Sequence, residues 1–179
     1  MTITVRALAI TVSLVLTATV AGVVLLLRDS TTASPTAAPA RGVPTVLTAA
    51  ELRSLASSSK MFWAGELSRR RLEVTTTKDG AFIRYLPDAA AVGGRGRALT
   101  IATYALPSAW DVAQRAAGQA DAQQRQLPDG RVAVWRSSRP TSVYLARPGS
   151  PLLVEVFDPD AKRARHLSLS GVVQPVAGG

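Results

Sequence analysis

The first part of the chain is one unbroken apolar run, and the rest alternates between short apolar and polar stretches. The run "ALAITVSLVLTATVAGVVLLL", residues 7–27, contains no charged residue and is followed directly by Arg28. A helix rises 1.5 Å per residue, so a run of this length spans about the 30 Å hydrocarbon core of a bilayer. We therefore expect residues 7–27 to form a transmembrane helix.

The end of the apolar run distinguishes a retained anchor from a cleaved signal peptide. Cleaved peptides usually carry an apolar stretch of about 7–15 residues that is followed by a small-x-small cleavage site. Here the run ends in "VVLLLRDS", which has no such site, and Arg6 precedes the run while Asp29 offsets Arg28 beyond it. We expect a single-pass signal anchor in the cytoplasmic membrane, with residues 1–6 inside and the remainder of the chain outside.

The apolar run carries small residues at a spacing of four. Ala18 and Gly22 form a small-xxx-small pair, which lets two membrane helices approach each other closely. They are candidate helix-pairing contacts, although the same spacing also arises by chance in alanine-rich spans.

A composition change after the apolar run predicts a linker and then one folded domain. Residues 28–46 are rich in Ser, Thr, Ala and Pro and have no apolar periodicity, as is typical of an extended tether. Residues 47–179 regain a periodic pattern and have the common size of one domain. We expect this segment to fold outside the cytoplasm.

Capping signals predict two helices in the first half of the domain. Thr48 and Glu51 have the spacing of a capping box before "AAELRSLA", and Ser108 and Asp111 repeat it before "AWDVAQRAA". Each stretch has apolar residues on one helical side, so each is predicted to be an amphipathic helix.

Alternating residues predict strands between and after these helices. The pattern on both sides of Asp79-Gly80 indicates a hairpin with Glu73 on its polar side, and "ALTIATYAL" predicts a third strand. Three more strands, "RVAVWRSS", "TSVYLARP" and "PLLVEVFD", precede a helix that we expect to begin with Asp158 as its N-cap and to end at Gly171.

Two successive strand-strand-strand-helix units define the expected fold class. Short connections favour antiparallel pairing of neighbouring strands. We therefore expect an α+β domain in which one twisted, mainly antiparallel sheet of about six strands carries its helices packed on one face.

Composition excludes several kinds of chemistry. The chain has no cysteine, which rules out disulfides, thiolate nucleophiles and cysteine metal sites. Lysine and arginine together number 21 against 12 acidic residues, but only three of the 21 are lysine. A GC-rich genome produces this bias by default, so the positive charge is either compositional or selected for an anionic partner.

Two arginine clusters are the candidate contacts for an anion or a partner. Arg69, Arg70 and Arg71 form the densest run of charge, and Arg95 and Arg97 lie in the glycine-rich "VGGRGR" loop, whose backbone amides add potential donors. Such clusters bind phosphate-rich polymers or anionic headgroups, but more often they form a solvated face or a flexible hairpin loop. The aromatic residues suit a core rather than base stacking, so we do not expect nucleic-acid binding.

The single histidine, His166, limits the enzymatic hypotheses. A Ser-His-acid triad would have to use it together with Asp158 or Asp160, and no "GxSxG" elbow exposes a nucleophile. A histidine near a helix C-terminus also interacts favourably with the helix dipole. The nearby carboxylates lack the spacing of a calcium loop. We therefore assign no catalytic, cofactor-binding or metal-binding residue and expect no cofactor.

Four segments together, "FWAG", "KDGAFIRYLP", "LTIATYALPSAW" and "VEVFDPDAKRARHLS", resemble a group of actinobacterial membrane proteins with one N-terminal span and one exported domain. The resemblance covers most of residues 61–176. It implies a bacterial cell-envelope location, but it brings no known activity and no functional residue.

The pattern as a whole favours a membrane-anchored, extracytoplasmic, non-catalytic binding or interaction module of the cell envelope. Its expected partners are the lipid bilayer and an envelope protein or anionic polymer. Two other hypotheses stay open: an envelope hydrolase that uses His166, and an accessory subunit of a transport, secretion or cell-wall complex.

Overall fold

The computed structural model describes residues 39–176, which form strands and three short helices in alternation. The elements in chain order are β1 (Thr45–Leu47), α1 (Ala49–Ala56), β2 (Phe62–Trp63), β3 (Arg70–Thr76), β4 (Gly80–Pro87), β5 (Thr100–Ala105), α2 (Ala109–Ala117), β6 (Ala122–Gln126), β7 (Val132–Arg136), β8 (Arg139–Ala146), β9 (Leu152–Phe157), α3 (Ala161–Leu169) and β10 (Gln174–Pro175).

Eight of the strands form one sheet in the order β1-β3-β4-β5-β9-β8-β7-β6, and every neighbouring pair is antiparallel. Two meanders, β3-β4-β5 and β7-β8-β9, meet where β5 pairs with β9. The remaining strands, β2 and β10, form a separate two-stranded antiparallel ribbon.

The expected sheet of about six strands is wrong, because two edge strands extend it to eight. β6 has the sequence "AQQRQ", which is mostly exposed, and it joins the sheet through backbone pairing with β7. β1 is only three residues long and includes Thr45 and Val46 from the segment predicted as linker. Neither strand has an alternating apolar side, so hydrophobic patterning could not reveal them.

The expectation that all helices pack on one face of the sheet is also wrong. Buried residues of α1 and α3 join the larger core cluster on one face, whereas Ala109 and Ala113 of α2 join a second cluster on the opposite face. The physical reason is visible in β7, whose residues Val132–Trp135 are all buried. A strand that is apolar on both sides requires cover on both faces.

The expected fold class also included a membrane-spanning helix. None of the helices within residues 39–176 is long and apolar enough to cross a bilayer, since the longest have nine residues. The predicted span at residues 7–27, with Ala18 and Gly22, lies outside the described residues, as does the predicted tail at residues 1–6.

Helix capping follows the sequence signals only in part. The capping box at Thr48 is confirmed: the Glu51 amide donates to Thr48 Oγ1 at 3.2 Å, and the Thr48 amide donates to Glu51 Oε2 at 2.8 Å. The box predicted at Ser108 is wrong, because Ser108 is the N-cap residue of α2 but its side chain makes no capping hydrogen bond.

The N-cap predicted for the last helix is wrong by two residues. Asp160, not Asp158, caps α3, with its Oδ1 accepting from the Lys162 amide at 2.8 Å. Asp158 is fully buried and pairs with Arg163. Gly171 follows the C-cap with φ of 78°, the left-handed conformation that favours glycine at this position.

The hairpin predicted around Asp79-Gly80 is confirmed as the β3-β4 pair. Gly80 also lies against β5, and a Cβ atom at this position would come within 2.1 Å of the Thr103 carbonyl oxygen. Only glycine therefore allows β4 to begin this close to its neighbour.

Candidate anion-binding site

The arginine run at residues 69–71 does not act as one surface. Arg69 occupies a turn with φ of 56°, and both it and Arg70 are exposed and form no ion pair within the described part of the chain. Arg71 is partly buried and donates through Nη2 to the Ala90 carbonyl. Two of the three predicted contacts are therefore available to a partner, and the third fixes a loop.

The glycine-rich loop already holds an anion of the protein itself. Glu73, predicted on the polar side of the hairpin, is only 1% exposed. Its carboxylate accepts from the Gly93 amide at 2.5 Å and pairs with Arg84. Arg84 Nη2 also donates to the carbonyls of Gly94 at 3.0 Å and Gly96 at 2.7 Å. Part of the loop, the Gly93 amide and the carbonyls of Gly94 and Gly96, is therefore already engaged by the Glu73-Arg84 pair.

Arg95 and Arg97 lie on the exposed part of the same loop. The Arg97 guanidinium is 5.3 Å from the centre of the Phe157 ring, a cation–π distance. Arg95 forms no ion pair or ring contact within residues 39–176. The sequence-predicted arginines are therefore solvated or engaged in local contacts, and the structure does not gather them into one pocket.

The structure also does not bring together the residues that a hydrolase would use, His166 with Asp158 or Asp160. His166 is exposed in the last turn of α3. Both Asp158 oxygens accept from Arg163, at 2.5 Å from Nε and 2.9 Å from Nη2, and Asp160 is occupied by the helix cap. In the described region neither carboxylate orients the imidazole, and no group of three or more His, Asp or Glu side chains could hold a metal ion.

A cavity of about 390 Å³ opens at one end of the sheet, between the β2-β10 ribbon and the ends of β7, β8 and β9. Its walls are mainly apolar and include Met61, Phe62, Leu145, Leu152 and Val154. The volume falls within the range of about 300–1,000 Å³ that is typical of small-molecule sites. Its volume and lining therefore make it a candidate binding site.

Hydrogen bonds fix the ribbon that forms the outer wall of this cavity. The Phe62 amide donates to Thr103 Oγ1 at 3.0 Å, and the Val176 amide donates to the Met61 carbonyl at 2.8 Å. Just beyond β2, the buried Tyr85 hydroxyl accepts from the Ala64 amide at 2.7 Å. Burial raises the pKa of Tyr85 to about 12, so this hydroxyl stays neutral at physiological pH.

The turn between β6 and β7 positions the main polar residue of the cavity, Arg131. The Leu127 amide donates to the Arg131 carbonyl at 2.8 Å, and Gly130 adopts φ of 82°. Asp129 accepts from the Arg131 backbone amide at 3.0 Å through Oδ1 and from its guanidinium Nε at 2.7 Å through Oδ2. One carboxylate therefore holds both the backbone and the guanidinium of Arg131 in place.

The guanidinium of Arg131 is buried but incompletely bonded. The residue is 8% exposed, and its Nη1 has no hydrogen-bond partner among the described residues. The Phe62 ring lies 5.6 Å from the guanidinium carbon and attracts the charge, but it does not replace an oxygen acceptor. A buried donor without an acceptor is unfavourable, and such groups are rare in folded proteins.

The charges around the cavity favour an anion. Burial opposes ionisation of Asp129, but hydrogen bonds from Arg131 outweigh it and lower the pKa of the carboxyl, so the pair is ionic at neutral pH. Lys60 and Arg147 are exposed side chains on the rim. Three cations therefore face one carboxylate, which leaves an excess of positive charge.

A second cavity of about 320 Å³ adjoins the first and shares Lys60, Met61 and Leu152 with it. Its lining is richer in polar groups and includes Lys78 and four hydroxyl-bearing residues: Ser59, Thr76, Thr77 and Thr103. Two of the three lysines in the chain, Lys60 and Lys78, therefore line these cavities. These two neighbouring cavities are called the groove below; the first is mainly apolar, the second is rich in hydroxyls, and both are bordered by positive charge.

Sequence reasoning missed Arg131, although the strand pattern contains a signal for it. Arg131 immediately precedes β7 and has the same parity as Ala133 and Trp135, which lie in the larger core cluster. An arginine on the core side of a strand that is apolar on both faces is unusual enough to mark a buried charge. Lys60, Lys78 and Arg147 are isolated in sequence, and only the fold brings them together.

Comparisons with models of known protein families, with curated proteins and with solved structures found no match for this chain.

Proposed function

We propose that this protein is a membrane-anchored, extracytoplasmic binding module of a bacterial cell envelope, and that it binds an anionic ligand in the cavity at Arg131 without transforming it. The observation that carries the proposal is the buried Arg131 guanidinium in the cavity lining, whose Nη1 lacks an acceptor among the described residues. Nη1 is closed off from solvent in this structure, so a small movement of the lining would be needed for an anionic oxygen to reach it and supply that acceptor. A charge-assisted hydrogen bond is stronger than a neutral one.

The surroundings of Arg131 support recognition rather than catalysis. The carboxylate beside it, Asp129, is committed to the arginine by two contacts. A general base or nucleophile would need a titratable group with a partner that activates it. The only histidine, His166, is exposed on α3 and does not line the cavity.

The anchor in this proposal is the apolar run predicted from the sequence. Residues 28–44 lie between the run and β1, and an extended chain of about 3 Å per residue would let the domain reach roughly 50 Å from the bilayer. A domain on such a tether samples molecules at the outer membrane surface. The proposal therefore places its anionic ligand in the cell envelope.

The proposal is tested by asking what the full-length protein carries from its native membrane. The protein is extracted with its surrounding lipid in polymer-bounded discs and analysed by native mass spectrometry, in parallel with Arg131→Gln. We expect a bound anionic molecule on the wild-type protein that is absent from the variant. A matched control, Arg115→Gln, removes an exposed arginine on α2, outside the cavity, and should retain the molecule.

Two results would contradict the proposal. One is a wild-type protein that carries no non-covalent ligand beyond the lipids that surround any membrane span. The other is a ligand that remains bound at the same occupancy after Arg131→Gln. Retention of a protein partner by the discs that depends on Ala18 and Gly22 would instead favour the accessory-subunit hypothesis.

A further inference from the structure

We infer that the ligand of this groove is an anionic amphiphile, a molecule with one phosphate or carboxylate group on an elongated apolar body. This inference rests on the proposed function, and it names the ligand class. It follows from the combination of one buried, underbonded cation with walls that are mainly aliphatic and aromatic.

The apolar walls argue against a small inorganic anion as the ligand. A phosphate or sulfate ion entering the cavity at Arg131 would exchange part of its hydration shell for walls that are mainly apolar. Met61, Leu145 and Val154 offer it no hydrogen bonds. An apolar body attached to the anion would instead pack against them and cover Phe62, Leu152 and Pro175, the lining residues that still expose apolar surface to water.

The positive charge argues equally against a neutral lipid or a cationic one. Arg131 needs an acceptor, and Lys60 and Arg147 add two cations to the rim, while Asp129 is the only carboxylate in the lining. A neutral alcohol would accept one hydrogen bond but would not balance the charge. A cationic amphiphile would be repelled.

The second cavity accounts for the length of the ligand. Leu152 and Met61 line both cavities, so the two are neighbours, and an apolar body that crosses these two side chains would extend from one cavity into the other. The hydroxyls of Thr76 and Thr77 and the lysine at Lys78 then border its far end. The groove therefore fits a molecule with one charged end and an elongated apolar body better than it fits a compact one.

The ligand class is tested with four soluble probes and the full-length protein in phosphatidylcholine nanodiscs. The probes are octyl phosphate, octanol, inorganic phosphate and octyltrimethylammonium. Together they separate the effect of the negative charge from the effect of the apolar chain. Titration of each probe into empty nanodiscs corrects for its partitioning into the lipid. We expect octyl phosphate to bind at least about ten-fold more tightly than each of the other three, since it alone makes both kinds of contact.

Variants assign the binding to this groove. Arg131→Gln is expected to weaken octyl phosphate binding by about ten-fold or more, the effect of one charged hydrogen bond. Arg147→Gln changes an exposed side chain, so it tests the charge without risk to the fold, and a weakening of about two- to five-fold is expected. Leu152→Ser should weaken octyl phosphate without changing the binding of inorganic phosphate, and Arg115→Gln should change neither.

The outcomes separate the inference from the proposed function. If inorganic phosphate binds as tightly as octyl phosphate and Arg131→Gln abolishes both, the site takes anions but the amphiphile inference is wrong. If octanol binds as tightly as octyl phosphate, the positive charge has no role in binding, and both the amphiphile inference and the proposed function are wrong. If no probe binds and the native protein also carries no ligand, the amphiphile inference and the proposed function are again both wrong.

If no probe binds but the native protein carries a ligand that depends on Arg131, the mass and headgroup of that ligand test the inference. An anionic amphiphile supports it, and any other ligand overturns it.

Discussion

Two arginine-carboxylate pairs, Glu73-Arg84 and Asp129-Arg131, each have one buried member, but only the first has all its charged groups hydrogen-bonded within the described residues. Arg84 donates to Glu73 and to two loop carbonyls, and Glu73 also accepts from a loop amide. Arg131 donates to Asp129 alone and leaves Nη1 without an acceptor in the described part of the chain. The first pair is closed by the protein itself, whereas the second is bordered by a cavity.

The difference teaches how a buried charge can serve structure or recognition. At Glu73 the partners come from Arg84 on β4 and from the glycine-rich loop, so the charges hold the loop in place. At Arg131 the ribbon β2-β10 leaves space of ligand size. In the proposed function, a molecule that is not part of the chain completes the hydrogen bonds of Arg131.

The largest expected effect is the loss of stability when the closed pair is broken. Arg84→Met would leave the Glu73 carboxylate, which is 1% exposed, without its counter-charge. Removing one partner of a buried ion pair costs about 3–5 kcal/mol, and the 20% exposure of Arg84 favours the lower end, about 3 kcal/mol. Urea unfolding followed by tryptophan fluorescence measures this change, and Glu66→Gln, which removes an exposed ion pair, should change stability by less than about 1 kcal/mol.

The matched substitution in the open pair should have a much smaller effect on stability. Arg131→Met would free Asp129, whose side chain is 48% exposed and so can be hydrated. It would also remove an unsatisfied buried donor, so we expect the free energy of unfolding to change by no more than about 1 kcal/mol in the absence of ligand. A loss as large as that of Arg84→Met would show that the two pairs are structurally equivalent and would remove the basis of the comparison.

The carboxylate of the open pair should restrain the affinity for anions. Asp129→Asn would remove the negative charge that competes with a ligand for Arg131, while the amide oxygen would still accept one hydrogen bond. We expect octyl phosphate to bind about two- to ten-fold more tightly to this variant, in line with the modest strength of partly exposed charge interactions. Weaker binding would mean that Asp129 is needed chiefly to orient Arg131.

The smallest expected effect concerns a surface pair, Asp121-Arg136. Hydrogen bonds from Ser138 and Arg136 lower the pKa of Asp121 to about 2, below its usual 3.8. A lowered pKa in the folded state adds stability that is present above pH 3.8 and is lost as the pH falls through about 2. The stability difference between wild type and Asp121→Asn should therefore shrink between pH 4 and pH 2, as measured by urea unfolding across this range. A difference that is constant across this range would contradict the assignment.

Local patterns determined several elements of this protein from sequence alone. The capping box at Thr48, the hairpin at Asp79-Gly80 and the final turn at Gly171 depend on residues that are close in sequence. Such signals act within a few residues. They are not sufficient alone, since the same spacing at Ser108 forms no cap and Asp158 pairs with Arg163 instead of capping α3. The apolar run at residues 7–27 is of the same local kind, and its role as an anchor stays a prediction.

The edge strand β6, the side on which α2 packs, the burial of Glu73 and the groove were decided only by the tertiary structure, because each depends on partners that are distant in sequence. β6 is a strand because β7 offers an unpaired edge, and α2 packs opposite α1 and α3 because β7 is apolar on both faces. Glu73 is buried because a loop about 20 residues later folds over it. The groove likewise combines Lys60, Arg131 and Arg147, which come from three separate segments. Burial, unsatisfied donors and local charge are properties of a three-dimensional arrangement, and no pattern within a single segment specifies them.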